Sequence, residues 1–365
     1  MSVDGLKAIT EDHFIFDGNN PEHPAVTIEG PKVYKRNGYY YIFAPAGGVK
    51  TGWQVVLRSK NIYGPFDIKT VMHQGNTIIN GPHQGAWIDT ESGEDWFLHF
   101  QDRGLYGRIM HVQPMKWVED WPVIGVNEDE NGCGEPAIVY KKPNVKMADK
   151  ITSLTSSDDF VDGKYGLMWQ WLGNHKDSFC SKTDDNNGLR LYALNPSGDE
   201  VSTIWRSANV LTQKLVCPYF STDFLLDYSG LQKGDRAGCV MMGGQYACIY
   251  IKKTNDAKYI LEYAESEGED NFKKEKVLFE KEIDNNSNNK ILELSFSFDR
   301  ISELEDKPVL HIAYSIGNSD KVDIGASYTP SDHTWVGAKI GIFALTDGED
   351  NGGFADFKYV KTIKL

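Results

Sequence analysis

Between Thr27 and Ala44 the chain alternates short runs rich in β-branched and aromatic residues with turn residues, and the centre of that pattern is Asn37-Gly38. This dipeptide between two such runs predicts a tight hairpin, since both turn positions need positive φ. Strands are expected over Lys32 to Lys35 and Tyr39 to Pro45, then Gln54 to Ser59 and Lys69 to His73. The rhythm recurs from Gly81 to about Val123, with strands at Gln84 to Asp89, Trp96 to Gln101 and Arg108 to Gln113 and a short piece around Trp121-Pro122-Val123. Both units carry an aromatic second strand, Tyr39-Tyr40-Tyr41 and Trp96-Phe97-Leu98-His99-Phe100. A repeat of roughly fifty residues with four strands per unit is the signature of propeller blades. Two strand-like pieces, Val3-Asp4-Gly5 and Phe14 to Gly18, precede them and read as the tail of a repeat already under way.

Apolar patterning fades between Tyr140 and Asp162, where Lys141-Lys142-Pro143 and Ser153 to Asp159 have linker composition. From Leu167 the chain resumes as many short strands, among them Met168 to Trp171, Gly188 to Tyr192, Gln213 to Val216, Ala237 to Met242, Ala247 to Ile251, Trp335 to Ala344 and Gly353 to Tyr359. Such spacing with Gly, Asn and Asp between strands predicts a β-sandwich. The expected fold is all-β: a partial propeller over residues 1–145, a linker over 146–164 and a sandwich over 165–365.

Composition narrows the chemistry. Aromatics at 12% and charged residues at 25% describe a folded β-rich chain of 365 residues. A net charge of −14 argues against nucleic acid, which is held by clustered Lys and Arg, and suits a neutral sugar. No apolar run approaches the length that spans a bilayer, and Met1 to Thr10 lack the basic start and apolar core of a secretory signal. Either a bacterial cytoplasm or a periplasm fits. The five cysteines, Cys133, Cys180, Cys217, Cys239 and Cys248, are odd in number and widely spaced, which speaks against a disulfide framework or a zinc site.

Glu29 stands at a strand mouth, with Gly30 and Pro31 forcing the chain to enter β structure from a bend. Ile28-Glu29-Gly30-Pro31, Tyr34 to Tyr41, Gly47-Gly48 and Leu57-Arg58-Ser59-Lys60-Asn61-Ile62-Tyr63-Gly64-Pro65 together resemble glycoside hydrolase family 43, the inverting β-xylosidases and α-L-arabinofuranosidases built on a five-bladed β-propeller. The second half resembles the concanavalin-like C-terminal domain of that family's β-xylosidases.

The resemblance implies a general acid at Glu29, an axial histidine at His83 that holds a water or a calcium ion, and a substrate-binding arginine at Arg108. Trp53 could stack on a sugar ring or belong to the core, while Trp87 is expected in the core. The family's general base and the aspartate that tunes the acid stand upstream in Asp-Pro contexts, and no Asp-Pro occurs in this sequence. Met1 is therefore expected inside a third blade, with about two blades plus a fragment present, the base absent and a second chain as one source of the missing blades.

Inverting hydrolysis needs a second carboxylate about 6.5–9.5 Å from the acid, and a donor kept protonated near neutral pH needs burial or a like charge nearby. The expected substrate is a xylo- or arabino-oligosaccharide, with no cofactor required and Asp356 as the ligand of a structural calcium should the sandwich hold one. The acidic loop Asn127 to Gly132 reads as a solvated turn rather than an EF-hand, because the terminal Glu is missing. Two competing readings are a carbohydrate-binding protein that lost the base and a purely structural pairing of sheets.

Overall fold

A computed structural model describes residues 1–146, 156–195, 203–216, 218–254, 256, 258–266, 274–284, 289–298, 307–317, 319–333, 335–347, 349–350 and 352–365. The chain divides into two compact units, Met1–Arg103 with Arg108–Ile151, and Gly104–Gly107 with Thr152–Leu365.

The first unit holds two four-stranded antiparallel sheets. One contains β1 (Lys32–Arg36), β2 (Tyr39–Ala46), β3 (Trp53–Ser59) and β4 (Asp67–Met72) in sequence order. The other contains β5 (His83–Asp89), β6 (Asp95–Asp102), β7 (Arg108–Val118) and β8 (Trp121–Ile124), again in order. This up-and-down order is that of propeller blades. The Asn37-Gly38 hairpin forms as expected, with Arg36 opposite Tyr39 and φ of 48° and 79° at the two turn residues.

Alternation decides what each face buries. Tyr41, Phe43 and Val56 of the first sheet and Phe97, Met115 and Ile124 of the second join one core cluster, and the rings of Phe43 and Phe97 stack at 6.1 Å. Trp87 packs at the margin of that cluster, and its Nε1 donates to Asp95 Oδ1 at 2.7 Å.

No strand forms before Lys32. Val3 and Phe14 are exposed; Val3-Asp4-Gly5 is a turn in which Asp4 accepts from the amide of Leu6, and Phe14 to Asp17 runs without regular structure into a turn at Gly18-Asn19, where Asp17 accepts from the amide of Asn19. The acidic loop is likewise a closed turn, in which Asp129 Oδ1 accepts from Asn131 N and Cys133 N, both at 2.9 Å.

The second unit is a sandwich of two seven-stranded sheets. Its strands are β9 (Trp169–Trp171), β10 (Cys180–Lys182), β11 (Leu189–Tyr192), β12 (Leu211–Lys214), β13 (Phe220–Asp227), β14 (Asp235–Met242), β15 (Tyr246–Lys253), β16 (Tyr259–Ser266), β17 (Glu275–Ile283), β18 (Ile291–Phe298), β19 (Leu310–Ile316), β20 (Val322–Tyr328), β21 (Lys339–Thr346) and β22 (Phe354–Lys364). The sheet orders are β10-β11-β22-β13-β18-β19-β20 and β17-β16-β15-β14-β21-β12-β9. Phe224 and Phe296 from one sheet meet Met241, Ile249 and Ile342 from the other in the main core.

Part of the expected linker belongs to this unit. Residues 147–155 lie outside the described residues, but Phe160 is fully buried in the sandwich core and Asp158 bridges to Val360. The four described cysteines are free thiols, and Cys217 lies outside the described residues. No helix of the described residues is long and apolar enough to cross a membrane.

Candidate active site

Glu29 sits just ahead of β1, and its backbone N–H is tied to Pro45 O near the end of β2 at 3.1 Å. Gly30 follows with φ of 53°, so the chain turns into the strand and leaves the Glu29 side chain 53% exposed. His83, at the start of β5, is fully buried. Its Nε2 lies 2.7 Å from Glu29 Oε1, and since an ionised carboxylate only accepts, Nε2 carries the donated proton. The other ring nitrogen, Nδ1, is buried and has no hydrogen-bond partner among the described residues.

Two further groups act on the same carboxyl. Gln84 Nε2 donates to Glu29 Oε1 at 3.0 Å, and Arg108, at the start of β7, contributes a favourable positive charge. The guanidinium of Arg108 lies 4.3 Å above the Phe100 ring, and that ring meets His83 edge-on at 5.6 Å. His83 chiefly holds the Glu29 carboxyl below the ordinary glutamate range, against desolvation, which raises it, and Gln84 and Arg108 add to the lowering. No carboxylate is among the strongest influences on Glu29.

The structure thus brings Glu29, His83 and Arg108 together, and Trp53 stands apart from them. Its ring is half-buried against Gly47, where an added Cβ would lie 2.3 Å from the indole. It lines a separate groove with His23, Thr51, Ile68, Thr70 and His73. Gln84 was invisible to the sequence reading, and the signal that could have raised it is the following Gly85, a residue that often marks a bulge inside a strand pattern.

The cation roles find little support in the donor set. Calcium takes six to eight oxygens, whereas His83 offers Nε2 to Glu29 and keeps Nδ1 enclosed. Among the described residues no three or more His, Cys, Asp or Glu side chains cluster as a metal group. Asp356 is committed elsewhere, because its two oxygens accept from Arg190 Nε at 2.8 Å and from a terminal nitrogen of the same guanidinium at 2.9 Å.

Two family models match the chain. Residues 1–122 match glycosyl hydrolases family 43, and residues 157–362 match the β-xylosidase C-terminal concanavalin A-like domain. The chain belongs to glycosyl hydrolase family 43. A putative β-xylosidase of Xylanibacter ruminicola is 43% identical over 216 residues, covering 59% of this chain and 39% of that protein. A β-xylosidase of Formosa agariphila is 30% identical over 391 residues, covering 96% of this chain and 61% of the relative.

Among solved structures, a bifunctional GH43-CE protein of Bacteroides eggerthii superposes with a TM-score of 0.79 at 25% identity, covering 98% of this chain and 44% of the other. The family 43 chain therefore spans less than two thirds of the length of these relatives. Family membership accords with the propeller-type sheets and with the sandwich.

Proposed function

We propose that this family 43 chain carries the proton-donating half of an inverting glycoside hydrolase directed at xylose- or arabinose-containing oligosaccharides. Glu29 is the general acid, Arg108 offers a fork of donors to substrate hydroxyls, and the second carboxylate comes from propeller sheets beyond the two described, on this polypeptide or on a second one. The observation that carries the reading is the carboxyl at the mouth of β1, held on one oxygen by a buried histidine with a guanidinium close by. The substrate class is supported by relatives named as β-xylosidases and by one from Bacteroides ovatus named as a non-reducing end α-L-arabinofuranosidase, 28% identical over 183 residues.

In the inverting reaction the acid protonates the leaving oxygen while the base draws a proton from water on the opposite face of the sugar. Glu29 in its present surroundings titrates below its ordinary range, so near neutral pH it is ionised. A neighbouring carboxylate and a covering wall would raise it to where a donor works. That same ionised state favours, as a second reading, a carbohydrate-binding protein without turnover.

Hydrolysis of aryl β-xylosides and aryl α-L-arabinofuranosides tests the proposal, together with calorimetric binding of xylobiose. Once the second carboxylate is supplied, Glu29→Gln should abolish turnover, with the greatest loss on substrates whose leaving groups need protonation. Full turnover by Glu29→Gln would refute the acid role, and unaltered xylobiose affinity without any turnover would favour the binding reading.

A further inference from the structure

His83 and Gln84 are consecutive in β5, yet both reach one atom, Glu29 Oε1, at 2.7 and 3.0 Å. In a regular strand successive side chains point to opposite faces, so two neighbours cannot converge. The ladder shows how it is done here: His83 pairs with Phe100 and Ala86 pairs with Leu98, which leaves one extra residue on β5. Gln84 lies in that bulge with φ of 52°, a left-handed conformation that glutamine adopts at a cost.

The neighbourhood is shaped around this arrangement. A Cβ on Gly30 would fall 2.2 Å from Gln84 Oε1, so only glycine leaves room for the amide. The Lys32 ammonium donates to the carbonyls of Gln84 and Gly30, at 3.3 and 3.4 Å, and straps the bulge to the strand entrance.

We propose that Gln84 is a positioning residue for the proton donor: together with His83 it fixes Oε1 as the accepting oxygen, so the proton to be transferred rides on Oε2 and the carboxyl plane is held by two converging donors. When the acid fires, the Oε2–H bond breaks, its proton passes to the glycosidic oxygen, and the charge left on the carboxylate is met at Oε1 by the two N–H groups already in place. This inference rests on the general-acid reading of Glu29.

The test follows the Glu29 carboxyl by its ¹³Cδ resonance in the full chain, identified as the signal that disappears in Glu29→Gln. In Gln84→Met, which keeps the length and deletes the donor, the titration midpoint should rise by about half to one pH unit. Gln84→Gly, which removes the left-handed strain as well, should raise it equally while the chain becomes no less stable. Gly30→Ala, which pushes the amide aside without removing it, should move the midpoint in the same direction.

A bulge that serves only the fold would change stability in Gln84→Gly and leave the midpoint where it was. Unchanged midpoints in both Gln84 variants overturn the proposal and leave the general-acid reading standing, since they are measured without turnover. Hydrolysis retained in Glu29→Gln once the second carboxylate is supplied would overturn that reading and the positioning role with it.

Discussion

Replacing His83 by leucine should cost the first unit almost nothing, although the imidazole is fully buried. The substitution removes the 2.7 Å bond to Glu29, which for a carboxylate 53% exposed is screened by solvent to about 1 kcal/mol. It also removes the edge-on contact with Phe100 at 5.6 Å, which contributes about 0.5–1.5 kcal/mol. Against these losses it relieves the enclosed Nδ1, an unpartnered polar atom that costs about 1–3 kcal/mol. The sum lies within about 1.5 kcal/mol of zero.

His83→Ala leaves a cavity instead and should cost about 2–5 kcal/mol. The assay is hydrogen exchange of β5 and β6 amides at pH 7, which reports the local opening free energy. Because Glu29 has a depressed folded-state pKa, its bond to His83 stabilises above the unfolded pKa and is lost as pH falls through the folded one. The gap between wild type and His83→Leu should therefore shift in favour of the variant on acidification. A leucine variant as damaged as the alanine one would refute this reasoning, because it would mean that Nδ1 has a partner, such as a buried water.

His99 offers a second pH signature: fully buried, it is pushed down to about 4 by desolvation. The unfolded chain then binds more protons between pH 6.5 and 4, so stability should drop by up to about 3 kcal/mol across that window, and His99→Gln should flatten the decline in thermal melts. In the sandwich, Arg236 and Glu275 form a buried ion pair, and Tyr246 donates its hydroxyl proton to Glu275 at 2.5 Å. Arg236→Met strands that carboxylate and should lose about 3–5 kcal/mol by calorimetry, whereas the double variant with Glu275→Leu should recover most of it.

The sheets of the first unit were legible because their strands alternate cleanly and end in turn residues whose backbone needs are specific, as at Asn37-Gly38. Strands β13 and β17 of the sandwich lie outside those expected from the sequence. Strand β13 alternates buried and half-buried residues but is not among the expected strands, while β17 carries Lys and Glu on both faces, and most of it is exposed, so hydrophobic period does not reveal it.

The expected strand over Trp335 to Ala344 starts later, at Lys339, because Trp335 and Gly337 both take φ of 69°. Within the site, Glu29, His83 and Arg108 carried a recognisable context. Gln84 did not, because its part depends on a bulge that only the neighbouring Gly85 signals and on a positive φ that glutamine does not announce. Nor could spacing show that Asp356 serves Arg190, 166 residues away in the chain.

The central claim is that Glu29 is one carboxylate of a pair whose partner lies outside the two propeller sheets. Steady-state hydrolysis of an aryl β-xyloside by the purified 365-residue chain, beside Glu29→Gln, measures this most directly. The account predicts that the two are indistinguishable and near the uncatalysed rate; rapid turnover by the chain alone that vanishes in Glu29→Gln would contradict it.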